Sequence, residues 1–209
     1  MPKFRNVEEA HKVHRRYNID TEGEGKYNPF DIYNPQKLRL RFLLDNIPED
    51  SYVLEVGCNS GGLSRLIMAE RKCYVKGIDI SPEMANRAIG KGFNVVCGEA
   101  EKLPYPEEEF DCVIATEVLE HIYKPQDVLS EIHRVLGPNG LLVGTVPHPD
   151  SYNAKRKPLE KHDWHHTVFT ELRLREHLER FFKDVKLENI AWYNDQTESP
   201  QWIAFSARK

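Results

Sequence analysis

Apolar and polar residues follow two alternating patterns along most of the chain after residue 50. Five short apolar runs are typical of buried strands, namely YVLEVG, CYVKGIDI, NVVCG, FDCVIAT and GLLVGTV. Stretches with helical spacing separate most of them, and one of these, SPEMANRAIGKG, offers Ser81 as N-cap and Pro82 at its first position. Strands alternating with helices predict parallel β-α-β units, and therefore an α/β sheet covered on both faces.

Both ends of the chain depart from this alternation. PQKLRLRFLLDNI predicts a helix that starts near Pro35, within a helical cap over residues 1–50. The main domain is expected over 51–209, with residues 147–169 inserted as a loop or lid rich in Pro, His and Lys. TELRLREHLERFF predicts a further helix, and VKLENIAWY and QWIAFSAR predict two last strands close enough in sequence to pair antiparallel.

Composition excludes several classes of protein. The 209 residues are 40% apolar and 30% charged, as in ordinary globular proteins, and no apolar run approaches the length of a membrane span. The formal charge of -4 gives no reason to expect a broad nucleic-acid interface. The N-terminus lacks the apolar stretch of a secretory signal, and the four cysteines form no C-x-x-C pair. We therefore expect a cytoplasmic protein with reduced thiols.

The stretch VLEVGCNSGG, residues 53–62, carries the first candidate chemistry. Glu55 and Asp79 close two successive predicted strands, so both carboxylates should lie at one edge of the sheet, where open α/β sheets bind ligands. An acid after the second strand suits a pair of ribose hydroxyls. The pyrophosphate-binding G-x-G-x-x-G is absent, and an acid before the glycine loop would repel a diphosphate but attract an amino group. This combination favours S-adenosylmethionine.

Four motifs in order support the same ligand. VLEVGCNSGG, GIDISPEM, GEAEKLPYPEEEFDCVIATEVLEHI and LGPNGLLVGTVP resemble the motifs of class I S-adenosylmethionine-dependent methyltransferases of the ubiquinone/menaquinone-biosynthesis-like type, methyltransferase type 11. The resemblance runs from about residue 38 to residue 146. It implies a Rossmann-like sheet of seven mostly parallel strands, with helices on both faces and an antiparallel final strand.

The same resemblance implies roles for particular residues. The methionine part of the cofactor would be held by Glu55, Gly57 and Gly61, and the ribose by Asp79. Ile80 would pack on the adenine, Glu99 and Ala100 would read its amino edge, and Thr116 would lie under the sulfonium. The family usually has glycine where this chain has Asn59, but asparagine tolerates left-handed backbone geometry.

Histidines dominate the region expected to face the methyl acceptor. Methyl transfer requires mainly that the nucleophile be positioned and lose its proton, and the imidazole pKa suits that task. The candidates are His121, His148, His162, His165 and His166. Of these, we predict that His166 and His121 are catalytic.

EVLEH also permits a metal site. If this segment is helical, Glu117, Glu120 and His121 share one face, and a histidine from HDWHH would complete a set of two carboxylates and two imidazoles. That arrangement resembles small-RNA 3′-terminal 2′-O-methyltransferases and some quinone-ring O-methyltransferases. Many family members carry similar VLEH motifs without a metal, so the expectation is a site with no metal.

These observations predict a methyltransferase acting on a small-molecule acceptor, at oxygen in preference to nitrogen or carbon. Four aromatic residues would wall an acceptor pocket or pack the cap: Tyr17, Tyr27, Tyr33 and Trp164. One alternative is a divalent-metal-dependent RNA 3′-terminal 2′-O-methyltransferase. A second is a non-catalytic, cofactor-binding regulatory subunit. The oligomeric state and the identity of the acceptor stay open.

Overall fold

The computed structural model describes residues 35–151, 165–194 and 197–209, with the backbone alone for 35–37, 192–194 and 197–199. Most of the predicted cap and the central part of the predicted lid lie outside these residues, as do Tyr17, Tyr27, Tyr33, His162 and Trp164. The division into a cap, a main domain and a lid therefore stays a prediction.

Helices and strands alternate as the sequence pattern predicts. In chain order they are α1 (Pro35–Asn46), β1 (Tyr52–Val56), α2 (Gly62–Arg71), β2 (Tyr74–Asp79), α3 (Pro82–Gly90), β3 (Asn94–Cys97), β4 (Phe110–Thr116), a 3₁₀ helix (Leu119–His121), α4 (Pro125–Val135), β5 (Leu136–Pro147), α5 (Glu171–Leu178), β6 (Lys183–Asn194) and β7 (Thr197–Arg208). The predicted cap of α3 is present, because the Ser81 side chain accepts a hydrogen bond from the Met84 amide and Pro82 follows it.

Within the described residues, seven strands form one sheet in the order β3-β2-β1-β4-β5-β7-β6. Strands β1 to β5 run parallel, whereas β7 pairs antiparallel with both β5 and β6. The residues GPNG lie inside β5, where the pairing passes from Phe110–Leu136 to Cys112–Leu141. The predicted fold class is confirmed.

Apolar side chains cover both faces of the sheet. Leu54 and Val113 join a large cluster with residues of α4 and α5, whereas the alternate position Val53 packs in a second cluster with Ile67 of α2 and Leu43 of α1. Successive residues of a strand point to opposite faces, so strands buried on both faces are apolar throughout. Among the described helices, none has the length and apolar character needed to cross a membrane.

The strand order reverses between β1 and β4, which are neighbours although β2 and β3 lie between them in sequence. Such a reversal opens a crevice at the carboxyl edge of a parallel sheet. Residues that end β1, β2 and β4 therefore meet at this edge, and the candidate site is built there.

Candidate active site

Glu55 is a buried acid on β1, with 3% of its surface exposed. It lies on the face of the sheet that α2 covers, and the hydroxyl of Ser64 on α2 donates a hydrogen bond to its carboxylate. Burial raises the pKa of Glu55 to about 8, and the negative charge of Asp79 adds to this rise. A cationic group beside Glu55 would stabilise its ionised form, as the predicted role requires.

Asp79 ends β2 and connects two loops. Its Oδ2 accepts a hydrogen bond from the Asn59 amide at 2.7 Å, and its Oδ1 accepts one from the Ser81 amide at 2.8 Å. Each carboxylate oxygen can accept a second hydrogen bond, so binding of ribose hydroxyls stays compatible with these contacts. Sequence reasoning missed this link between Asp79 and the glycine loop, because only the folded loop brings its amides to the acid.

Gly57 and Gly61 are required by the protein's own packing. Their φ angles are +70° and +83°, in the left-handed region that favours glycine. A Cβ on Gly57 would lie 2.7 Å from a Val118 methyl, and one on Gly61 would overlap the Phe93 ring. The sequence predicts close approach of a ligand at these glycines, and the structure adds backbone geometry and neighbouring side chains as sufficient reasons.

Asn59 has a φ of 50°, as expected for a residue that replaces glycine at a left-handed position. Its side-chain Oδ1 accepts a hydrogen bond from the Ser60 amide at 2.6 Å. Asparagine favours such turns because its short polar side chain can bond to nearby backbone. The loop therefore keeps its geometry without a third glycine.

The predicted adenine-binding residues follow β2 and β3. Ile80 is half-buried, Glu99 is exposed, and half-buried Ala100 packs against the large core cluster. The Gly98 amide donates a hydrogen bond to the Asp79 carbonyl at 3.0 Å, which joins the start of the Glu99 segment to the end of β2. The structure thus brings this segment beside Asp79, although no contact in it tests the adenine roles.

Thr116 ends β4 as predicted and lies at the carboxyl edge. The next residue, Glu117, has a φ of 55° and precedes the 3₁₀ helix, so it does not share a helical face with Glu120 and His121. The Thr145 hydroxyl donates a hydrogen bond to Glu117 Oε1 at 3.0 Å, and an Arg39 nitrogen lies 4.0 Å from the same oxygen. Residue spacing alone did not single out Thr145 or Arg39.

Glu120, His121 and His165 form a second cluster beside this edge. One potential ligand atom from each residue lies within 4.8 Å of the others. His121 Nε2 is 3.8 Å from Glu120 Oε1, and the rings of His121 and His165 have centroids 5.0 Å apart. Burial, reinforced by the charge of Glu117, holds the pKa of Glu120 well above its usual range.

The two predicted catalytic histidines have different surroundings. His121 belongs to the cluster with Glu120, whereas the His166 ring stacks on exposed Tyr123 with centroids 3.7 Å apart. The amides of His166 and Thr167 both donate hydrogen bonds to the Glu120 carbonyl, at 2.7 and 3.1 Å. The structure therefore brings His165 and His166 to the segment after β4, but it places His165 in the cluster.

Comparison with known proteins identifies the central part of the chain. Residues 54–144 match the family model described as "Methyltransferase domain". The central part of the chain is therefore similar to methyltransferase domains. An Archaeoglobus fulgidus protein described as a SAM-dependent methyltransferase has the same fold, with a TM-score of 0.69 at 22% identity over 84% of this chain and 95% of that one.

Two curated relatives overlap this domain in sequence. 24-Methylenesterol C-methyltransferase 3 of Arabidopsis thaliana is 37% identical over 44% of this chain and 28% of its own length. A ubiquinone biosynthesis O-methyltransferase of Coxiella burnetii is 30% identical over 56% of this chain and 52% of its own length. The chain thus spans about half or less of these relatives. The resemblance to class I methyltransferases and the prediction of S-adenosylmethionine as cofactor are confirmed.

Proposed function

We propose that this chain transfers a methyl group from S-adenosylmethionine to an oxygen atom of a small-molecule acceptor. The observation that carries the proposal is the pair of acids at the carboxyl edge. Glu55 and Asp79 lie on adjacent strands on either side of a loop held by left-handed residues. This arrangement suits a ligand with an amino group at one end and ribose hydroxyls further along.

The residues at this edge fit the cofactor. Glu55 would attract its amino group, since the buried carboxylate has one close donor in Ser64 and keeps capacity for another. Asp79 would accept hydrogen bonds from the ribose, while Gly57 and Gly61 keep the loop backbone free of side chains. When bound, the cofactor supplies a methyl group already activated by a positively charged sulfur.

On the acceptor side, His166 is the proposed proton acceptor. It lies in a segment that two backbone hydrogen bonds fasten to the residues after β4, next to the end of the strand expected to face the sulfonium. An acceptor hydroxyl must lose its proton during transfer, and an imidazole is suited to remove it. Oxygen is supported by the name of the ubiquinone O-methyltransferase, whereas the name of the sterol C-methyltransferase keeps carbon as the competing choice.

Two other functions compete with this proposal. The formal charge of -4 argues against a broad RNA-binding surface, although a terminal nucleotide needs only a local contact. A regulatory subunit would bind the cofactor without turning it over. The grouped histidines support chemistry over regulation, because an imidazole side chain is suited to proton transfer in catalysis.

The test is a turnover assay with methyl-labelled S-adenosylmethionine. The acceptors are a hydroxylated aromatic ring, a fatty acid, a sterol alkene and an RNA oligonucleotide with a free terminal 2′-hydroxyl. Methylation of an oxygen in the phenol or the fatty acid supports the proposal. Label found only on sterol carbon or only on RNA contradicts it, and cofactor binding without label transfer to any acceptor favours the regulatory alternative.

A further inference from the structure

We propose that Glu120, His121 and His165 form a binding site for a divalent transition-metal ion at the acceptor side of the sheet edge. The site has one carboxylate and two imidazoles, a set that proteins use for zinc, manganese and iron. It differs from the set that the sequence pattern suggested, and it departs from the expectation that the acceptor side holds no metal.

The geometry of the cluster is close to that of a metal site. The three potential ligand atoms lie within 4.8 Å of one another. Metal bonds of about 2.0–2.2 Å bring neighbouring ligand atoms to roughly 3–4 Å separation. To bind an ion, the three ligand atoms must therefore move toward one another by about one ångström. Rotation of the two imidazole rings can supply this movement.

Glu120 provides an independent reason to expect a cation. The residue is 2% exposed, and neither of its carboxylate oxygens accepts a hydrogen bond from the described residues. A buried carboxylate without hydrogen bonds is costly, because water no longer solvates it and no donor replaces the water. A cation coordinated between Glu120 and the two histidines would satisfy it.

Glu117, the other acid of EVLEH, is held elsewhere. Its Oε1 accepts the Thr145 hydroxyl, and Arg39 and Trp202 also interact with this carboxylate. In contrast, His165 is fixed beside Glu120, since the amides of the next two residues bind the Glu120 carbonyl. The structure thus selects His165 and leaves Glu117 as a support for the end of β4.

Three protein ligands leave coordination positions open for an acceptor. An acceptor with two adjacent oxygens, such as a vicinal diol or a catechol, could occupy two of these positions and present one oxygen for methylation. This role rests on the proposed function, whereas metal binding itself does not. The two are therefore tested separately.

Metal binding is measured with Mn²⁺ and Zn²⁺ alone, without acceptor, on the chelator-treated chain of 209 residues. Calorimetry is expected to find about one ion per chain, and His165→Ala and Glu120→Gln are each expected to weaken binding at least about 100-fold, since even residues that only support metal ligands contribute 10–100-fold. The matched control is His177→Ala, because His177 is also half-buried but packs on Phe169. It should bind the ion as the wild type does.

Thermal unfolding provides a second measurement. Added ion should raise the midpoint of the wild type and of His177→Ala, but not of His165→Ala or Glu120→Gln. Unchanged ion affinity in both cluster variants, or no stoichiometric ion in the wild type, would overturn the proposal. If Glu120→Gln does not fold, the ion affinity of His165→Ala alone tests the proposal. Binding of S-adenosylmethionine is measured in parallel, so loss of the metal proposal and loss of the methyltransferase proposal give different results.

Discussion

The backbone amide of Asn59 donates a hydrogen bond to Oδ2 of Asp79 at 2.7 Å, which fastens the glycine loop after β1 to the end of β2. The other oxygen of Asp79 accepts the amide of Ser81 at the start of α3. One carboxylate therefore organises two loops and is also the acid proposed to bind ribose. Substitutions at Asp79 should affect both the folded loop and the affinity for cofactor.

Asp79→Ala is expected to weaken S-adenosylmethionine binding by roughly 1.5–3 kcal/mol, because hydrogen bonds to a charged acceptor are lost. Asp79→Asn should weaken S-adenosylmethionine binding nearly as much. Both oxygens already accept backbone amides, so the new side-chain NH₂ group must face one of these donors. Calorimetry measures the affinity for the cofactor, and thermal unfolding measures the effect on the folded loop. Asp127→Asn, on the exposed first turn of α4, is the control. Full affinity in Asp79→Asn would contradict this account.

Asn59→Gly should keep the fold and bind cofactor at least as well as the wild type, because glycine adopts a φ of 50° without strain. Asn59→Val should lower the free energy of unfolding by about 1–2 kcal/mol, since a β-branched residue opposes left-handed geometry. Chemical denaturation and cofactor titration measure both effects. In contrast, Asn94→Val at an exposed β3 position should be tolerated. Equal affinity in the two Asn59 variants would show that the backbone at this position is not strained.

The left-handed position of Asn59 could be inferred from the sequence because a single residue stands where glycine is usual. The start of α3 could also be predicted from neighbouring residues in the sequence, since Ser81 and Pro82 stand at the beginning of the helix. The hydrogen bond from Ser64 to Glu55 was not predictable in this way. It depends on α2 packing over the face of β1 on which the acid lies, and no spacing between Glu55 and Ser64 encodes that.

Gly61→Ala should destabilise the protein clearly, because it combines a φ of +83° with overlap of the Phe93 ring. The left-handed backbone alone costs about 1–2 kcal/mol. Gly62→Ala is the matched control: its Cβ would enter open space at the first residue of α2, so stability should be unchanged or higher.

The double variant Gly61→Ala/Phe93→Ala separates the two causes. Compared with Phe93→Ala alone, it should show only the cost of the left-handed backbone. Chemical denaturation of all four variants gives the free energies of unfolding. Equal stability of Gly61→Ala and Gly62→Ala would refute the explanation based on φ and packing.

Glu55 should make the stability of the cofactor-free protein depend on pH. Burial raises its pKa from 4.5 to about 8, and the titratable groups facing it are the carboxylate of Asp79 and the thiol of Cys58, which is neutral because its own pKa is raised. Between these pH values the folded state holds a proton that the unfolded state has released. The free energy of unfolding should therefore fall as pH rises from about 4.5 to about 8, by at most about 1.4 kcal/mol per pH unit.

Glu55→Gln should remove this contribution to the pH dependence, because glutamine can still accept the Ser64 hydrogen bond but does not ionise. The variant should be more stable than the wild type near pH 8 and should bind cofactor more weakly. Glu188→Gln, at an exposed position of β6, is the control. Parallel stability curves for the wild type and Glu55→Gln between pH 5 and pH 8 would contradict the raised pKa.

The sequence could not predict which of the histidines lie together at the acceptor side. HDWHH placed three imidazoles near the acceptor side, but the pattern could not tell which would meet EVLEH. That choice depends on backbone, since the carbonyl of Glu120 accepts the amides of His166 and Thr167 and so turns His165 toward His121. Likewise, Glu117 was grouped with Glu120 by spacing, and its left-handed φ of 55° separates them.

His165 and His166 should therefore differ in their effects although they are adjacent. His166→Ala should lower turnover by roughly 100-fold or more while leaving the affinities for S-adenosylmethionine and for Mn²⁺ nearly unchanged, because it removes a proton acceptor only. His165→Ala should lose Mn²⁺ affinity, and added Mn²⁺ should partly restore its turnover, because one missing ligand weakens the site without abolishing it. Both variants should bind the cofactor normally, since Glu55 and Asp79 are intact. Steady-state kinetics at several Mn²⁺ concentrations separates the two residues. Equal rescue of both variants by Mn²⁺ would place His166 among the ligands, and loss of activity in neither would remove both histidines from the reaction.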